Sequence, residues 1–410
     1  MFSYVLVAAV AALVTAASTF GLLKLGRRLK LAPEIRARDV HTTPTPRLGG
    51  IAMFAGILAA FLVATTQESL ELAFAAPQTI WAILGACALI VIVGVLDDLF
   101  DLDWMLKLGV QLLAAGLLAW QGVQIVSLPV GNALVVGSPI INFILTVFIF
   151  TLMMNAVNFI DGLDGLVAGV ALISNAVFFI YTLLLFEQQN PLNEFSLASI
   201  IAIALVGVTL GFLPFNWHKA KMFMGDTGSL LVGLLMATST IAVTGQLNPT
   251  GITQQVVLAS YIPIILPVAV LIVPLLDFGL AVARRVHAGK SPFSADRKHL
   301  HHRLLDMGHS PVQAVLIFYL WTAVLSIGFL MIYVTRSYLW PVVFIVLGGI
   351  VCGVVTIFPF DLKKLNEIRV QRSRSGSATQ DVLGRLDPLD RASTGPIVVP
   401  AESRHSESEH

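Results

Sequence analysis

The sequence predicts an all-α polytopic membrane protein of about eleven transmembrane helices, with its N-terminus outside and its C-terminus in the cytoplasm. Three observations carry this expectation. Of the 410 residues, 57% are hydrophobic and only 12% are charged, about half the charged fraction of a soluble domain. Mean hydropathy is +0.86. Apolar runs long enough to cross a bilayer, about 20 residues each, recur along nearly the whole chain. This composition excludes a soluble enzyme, a nucleic-acid binder and a disordered scaffold. The 25 basic and 24 acidic side chains are too few to solvate a surface of this size. Lipid admits only helices or closed barrels, and continuous apolar runs without period-two alternation select helices.

In chain order the runs fall near 3–23, 49–65, 78–96, 105–121, 138–157, 166–186, 196–214, 228–244, 257–280, 313–335 and 340–359. The first has no small-residue cleavage site followed by polar sequence, so it reads as a span and not as a removed signal peptide. The two cysteines, Cys87 and Cys352, lie inside apolar runs, which implies neither a disulfide framework nor a thiolate zinc site. Residues 1–360 thus form a transmembrane domain. Residues 361–410 are rich in Ser, Arg, Glu and Pro, contain no run able to build a core, and read as a polar, disordered cytoplasmic tail.

Orientation follows from where the basic residues sit. Segment 24–47 holds Lys24, Arg27, Arg28, Lys30, Arg36, Arg38 and Arg47, and segment 282–312 holds Arg284, Arg285, Lys290, Arg297, Lys298 and Arg303. Lys107, Lys219 and Lys221 fall on the same side, whereas the opposite connections contain only Arg336 before the tail. The basic side is the cytoplasmic one.

The remaining polar residues gather on that side too. An ionisable residue at a membrane span is costly and calls for a reason. HTTPTPRLGG precedes the second span, and GVLDDLFDLDWMLKLGVQ follows the third with Asp97, Asp98, Asp101, Asp103 and Lys107. NAVNFIDGLDGL, with Asn155, Asn158, Asp161 and Asp164, follows the fifth. FNWHKAKMFMGDTGSL follows the seventh with His218 and Asp226, and RKHLHHRL follows the ninth with His299, His301, His302 and Arg303. Aspartates without cysteine make a hard oxygen site suited to Mg²⁺, with Mn²⁺ as an alternative. Arg, Lys and His suit phosphates, and the glycines of DGLDG and GDTG let backbone approach a ligand. Together these groups fit phosphoryl transfer at the membrane surface, with a lipid phosphate as one substrate. Taken singly, each has a plainer reading. The Asp pair could be a solvated cap, DGLDG a turn, Asp226 an N-cap, and the histidine loop a headgroup patch. Asp101 and Asp103 read as helix-end charges. The plain readings offer no reason for five such clusters on one side.

The motifs TPRLGG at 45–50, DDLFDLDWMLKL at 97–108, NFIDGLDGL at 158–166, FMGDTGSLLVG at 223–233 and RKHLHHRLL at 297–305 resemble, in order and spacing, those of the polyprenyl-phosphate N-acetylhexosamine-1-phosphate transferases. The resemblance spans about residues 24–335. It implies transfer of a sugar 1-phosphate from a UDP-sugar to a polyprenyl phosphate with release of UMP, a step that starts cell-envelope polysaccharide synthesis. By that resemblance Asp97, Asp98, Asp161 and Asp164 are catalytic, and Asp226 is the metal ligand. Arg47, Lys107, Asn158, His299, His301, His302 and Arg303 bind substrate. H-L-H-H, in place of three consecutive histidines, points to the N-acetylglucosamine branch; the alternative is a phospho-MurNAc-pentapeptide transferase or another UDP-N-acetylhexosamine specificity. The expected setting is a bacterial inner membrane with a cytoplasmic site, and a homodimer is compatible with it. A transporter would place its charges at broken helices near the bilayer centre, and a lipid-binding scaffold would leave the Asp clusters unexplained.

Overall fold

The computed structural model describes residues 1–29, 45–130, 133–189, 196–246, 300–335 and 338–358. The chain forms α1 (Phe2–Leu29), α2 (Gly49–Ala64), a short 3₁₀ helix (Glu68–Phe74), α3 (Pro77–Phe100) and α4 (Trp104–Trp120). A two-stranded antiparallel hairpin follows, β1 (Ser127–Val130) with β2 (Ala133–Val136), pairing Ser127 with Val136 and Val130 with Ala133. Then come α5 (Pro139–Ile160), α6 (Leu166–Gln189), α7 (Ser196–Asn216), α8 (Gly225–Gln246), α9 (Leu300–Asp306), α10 (Pro311–Thr335) and α11 (Leu339–Ile357).

Among the described residues eight helices are long and apolar enough to cross a membrane. α2 makes a ninth if it is taken together with the 3₁₀ helix, which bends away from it by 112°, and α4 is shorter at 17 residues. Each expected run is helical except 257–280, which lies outside the described residues, as do His299 and the tail from 361. The all-helical expectation missed the hairpin and the 3₁₀ helix, both of which lie in connections between spans.

Helix ends also differ from the apolar runs. α3 continues to Phe100 instead of stopping at 96, α5 continues to Ile160 instead of 157, and α8 begins at Gly225 instead of 228. Hydropathy ends a span at the first charge. The backbone ends it where its hydrogen-bonding groups find other partners. The aspartates Asp97, Asp98 and Asp226 therefore lie in helical turns and not in loops.

Among the described spans α8 is the most enclosed and α11 the least. α8 packs against α2, α3, α5 and α7, while α1 lies along α2 and α7, and α11 packs on α10. Close approach at the start of α8 depends on small residues, as helix contacts in membranes commonly do. A β-carbon on Gly94 of α3 or on Gly50 of α2 would overlap the backbone at Thr227 and Gly228. Buried hydroxyls donate to the carbonyl one turn back, as Thr209 does to Leu205 at 2.6 Å and Thr238 to Leu234 at 2.7 Å. A hydroxyl bonded in this way does not face apolar surroundings alone.

The segment before α2 runs alongside the segment before α8. Phe223 donates its N–H to the Pro46 carbonyl at 2.9 Å, and Gly49 and Gly50 donate to Phe223 and Met224 at 3.1 Å each. This short ladder brings Arg47 to the end of the bundle where α3, α5 and α8 converge.

Candidate active site

α8 begins at Gly225, whose φ of +72° suits glycine. The first amides of a helix have no partner within it. Here a side chain from another helix supplies one. Asp98, in the last turn of α3, accepts from the Asp226 N–H at 3.2 Å, the Thr227 N–H at 3.3 Å and the Thr227 hydroxyl at 2.8 Å. A β-carbon at position 225 would overlap the Asp98 carboxylate. Asp226 is thus not the cap of α8. It occupies the first turn, and its side chain is available for other contacts.

Those contacts are with Asp97, Asn158 and Lys107. The Asp97 and Asp226 carboxyls lie side by side, and the Asn158 amide faces Asp226. The Lys107 ammonium, from the first turn of α4, sits 3.0 Å from Asp97 Oδ2 and 3.5 Å from Asp226 Oδ2. Asp97 Oδ1 also accepts the Leu102 N–H at 2.8 Å, which fixes the turn between α3 and α4. Asp103 caps α4 through the Met105 N–H at 2.8 Å, and Asp101 lies exposed in a left-handed turn. Both are helix-end groups, as expected. Asn158 donates to the Ser229 hydroxyl at 2.9 Å, so α8 orients the amide that faces its own aspartate.

The DGLDG turn closes the site. Asp161 follows α5 directly, and its neighbours in charge are Asp226, Asp98, Arg47 and Asp164. Burial first, then the charges of Asp226 and Asp98, push the Asp161 carboxyl up to about 8, with Arg47 opposing. Asp164 is buried and faces the other way. Its Oδ2 accepts the Ala220 N–H at 3.1 Å and lies 3.2 Å from His218 Nδ1, so it organises the connection between α7 and α8. Asn216, also buried, accepts the Gly165 N–H at 3.0 Å and donates to the Met222 carbonyl at 3.0 Å. The Tyr319 hydroxyl of α10 donates to the Gly165 carbonyl.

The structure therefore brings together Arg47, Asp97, Asp98, Lys107, Asn158, Asp161 and Asp226, contributed by α2 to α5 and α8 or their ends. Asp164 joins through the turn that it supports. His301, His302 and Arg303 lie on α9, which packs on α10, and Arg303 is exposed. His299 lies outside the described residues. Sequence reasoning assigned no role to Thr227, Ser229 or Asn216, although each stands inside a motif it singled out. The available signal was a polar side chain on an otherwise apolar helix. Three carboxylates, Asp97, Asp161 and Asp226, beside two cations suit a site that takes up a proton or a further cation, beside groups able to hold phosphate.

Residues 80–244 match the model of a family described as glycosyl transferase family 4. The decaprenyl-phosphate N-acetylglucosaminephosphotransferase of Mycobacterium leprae is 40% identical over 329 residues, 79% of this chain and 82% of that protein. The protein of the same name from Mycolicibacterium smegmatis is 38% identical over 326 residues, covering 79% of this chain and 80% of its own. The undecaprenyl-phosphate alpha-N-acetylglucosaminyl 1-phosphate transferase of Escherichia coli K12 is 30% identical over 318 residues, 75% of this chain and 78% of its own length.

Proposed function

Because the chain belongs to the polyprenyl-phosphate N-acetylhexosamine-1-phosphate transferase family, we propose that it transfers N-acetylglucosamine 1-phosphate from UDP-N-acetylglucosamine to a polyprenyl phosphate, releasing UMP. The observation that carries this is the convergence of Asp97, Asp226, Asp161, Lys107 and Arg47 at one end of a bundle of membrane-length helices. A lipid-borne phosphate and a soluble sugar nucleotide can meet only at such an end.

Atoms balance simply. An oxygen of the lipid phosphate bonds to the sugar-bearing phosphorus, and the bond from that phosphorus to the bridging oxygen of UMP breaks. One phosphoanhydride replaces another, so the reaction is close to thermoneutral. Lys107 and Arg47 supply positive charge for the phosphates. Asp97 and Asp226 press two carboxylates together beside the Asn158 amide, an oxygen set that fits Mg²⁺. Among the described residues no group of three or more His, Cys, Asp or Glu side chains is placed to hold a metal ion; an ion here would be held by one or two carboxylates and by substrate phosphates. Mg²⁺ bound there would neutralise the diphosphate and the leaving UMP. The chain's own contribution is position. Asp98 secures the helix that bears Asp226, Ser229 orients Asn158, and Asp164 with Asn216 shapes the turn that carries Asp161.

In this reading eleven helices cross a bacterial inner membrane with the N-terminus outside, and the site opens to the cytoplasm, where the UDP-sugar is. His299, His301, His302 and Arg303 hold the sugar nucleotide, and residues 361–410 form a tail outside the catalytic unit. Purified protein given decaprenyl phosphate, Mg²⁺ and a panel of UDP-sugars should release UMP with UDP-N-acetylglucosamine and not with UDP-MurNAc-pentapeptide. The opposite preference, or no UMP with either, would overturn the assignment.

A further inference from the structure

We infer that Asp98 is a positioning residue, which acts by capping the first turn of α8 from the end of α3 and so sets where the Asp226 carboxylate stands relative to Asp97 and Lys107. The inference rests on the reading of Asp226 as the divalent-cation ligand.

Consecutive residues of an α-helix point about 100° apart, so Asp97 and Asp98 meet different groups: Asp97 the side chain of Asp226, Asp98 its backbone. Asp97 turns to Lys107 and the Leu102 N–H. Asp98 lies one turn beyond Gly94, on the face that α3 presents to α8. Both of its oxygens are engaged there, Oδ1 by the Asp226 N–H and Oδ2 by the Thr227 N–H and hydroxyl. Its lone pairs thus point into the start of α8, where the helix dipole favours a negative charge, and not toward an incoming phosphate. One of the three donors is the backbone of Asp226 itself, so a shift of the Asp98 carboxylate displaces the ligand residue directly.

Gly225 and Gly94 support the same conclusion. A side chain on Gly225 would expel the Asp98 carboxylate, and one on Gly94 would hold α3 away from Thr227. Thr227 provides an independent probe. It is fully buried, and its hydroxyl donates to Asp98, so altering it perturbs the cap without touching a substrate.

The test is Mn²⁺ binding to the purified full-length protein in detergent, followed by electron paramagnetic resonance with UMP present to supply phosphate ligands. Asp98→Asn and Thr227→Val should each raise the Mn²⁺ Kd about ten-fold, the scale typical of groups that orient a metal ligand. Thr227→Ser keeps the hydroxyl and should bind as the parent does. The double variant Asp98→Asn/Thr227→Val should bind no more weakly than the worse single variant, because both changes remove one interaction. Parent-like binding by Thr227→Val alongside weakened binding by Asp226→Asn overturns the inference and leaves the Asp226 reading intact, whatever Asp98→Asn does. Parent-like binding by Asp226→Asn, or no Mn²⁺ uptake by the parent, removes the Asp226 reading and the inference with it.

Discussion

Asp97 and Asp98 are chain neighbours with different partners, Lys107 for one and the start of α8 for the other. The residue types in the sequence already marked both, and they marked Asp226, Asn158 and Asp161 as well. What the sequence could not show was which carboxylate faces which group, because the contacts that set Asp98, Asn158 and Asp161 against the start of α8 join residues far apart in the chain. Asp226→Asn keeps the shape of the side chain and removes its charge between Asp97 and Lys107. Turnover should fall at least about 100-fold, on the order of 2.7 kcal/mol, with a raised Mg²⁺ requirement that excess metal partly relieves; wild-type Mg²⁺ dependence would remove Asp226 as the ligand. Asp161 yields a prediction in pH. Its folded-state pKa of about 8 lies above the ordinary carboxylate value of 3.8. The stability it contributes is therefore complete below pH 4 and lost as pH rises through 8. Without divalent cations, Asp161→Asn should gain stability over the parent as pH rises from 5 to 8, by about 1–3 kcal/mol for a desolvated charge removed. An equal difference at both pH values would mean that the carboxyl is not held in this way.

Elements were legible wherever lipid sets the rule. Each described run of membrane length is a helix, because no other open structure satisfies its backbone in hydrocarbon. The misses lie at the ends and between the spans. Asp226 marked a polar boundary by hydropathy, yet α8 starts before it because Asp98 supplies the cap. The hairpin of β1 and β2 lies in a connection that hydropathy leaves unassigned, although the sequence there holds Gly-Asn, a pair common in tight turns. The contact between α3 and α8 provides the element-level test. A methyl group at Gly94 would overlap Thr227, and such overpacking costs about 1–3 kcal/mol. Gly94→Ala should lower the melting temperature and cut turnover at least about ten-fold, because α3 carries Asp97 and Asp98 away from Asp226 as it yields. Gly349 of α11 has open space around it, so Gly349→Ala should change neither quantity. Equal effects at both positions would contradict the packing account.

For the molecule as a whole, composition alone was enough to identify a multi-pass membrane protein, and five separated motifs pointed to one site at one end. The charge pattern predicts the orientation, and chemical labelling tests it. Cys87 and Cys352 are buried and provide a quiet background. In intact cells a cysteine at Glu71 should react with a membrane-impermeant reagent, and one at Lys221 should react only after lysis; labelling at Lys221 from outside would invert the topology and move the site away from the sugar nucleotide. The central claim is that the sugar leaves together with its phosphate. It is tested most directly by UDP-N-acetylglucosamine labelled at the phosphorus next to the sugar, incubated with the purified protein, decaprenyl phosphate and Mg²⁺. The label should appear in the lipid product, with unlabelled UMP in solution in equal amount. Label remaining in solution as UDP, with the sugar alone on the lipid, would contradict the account.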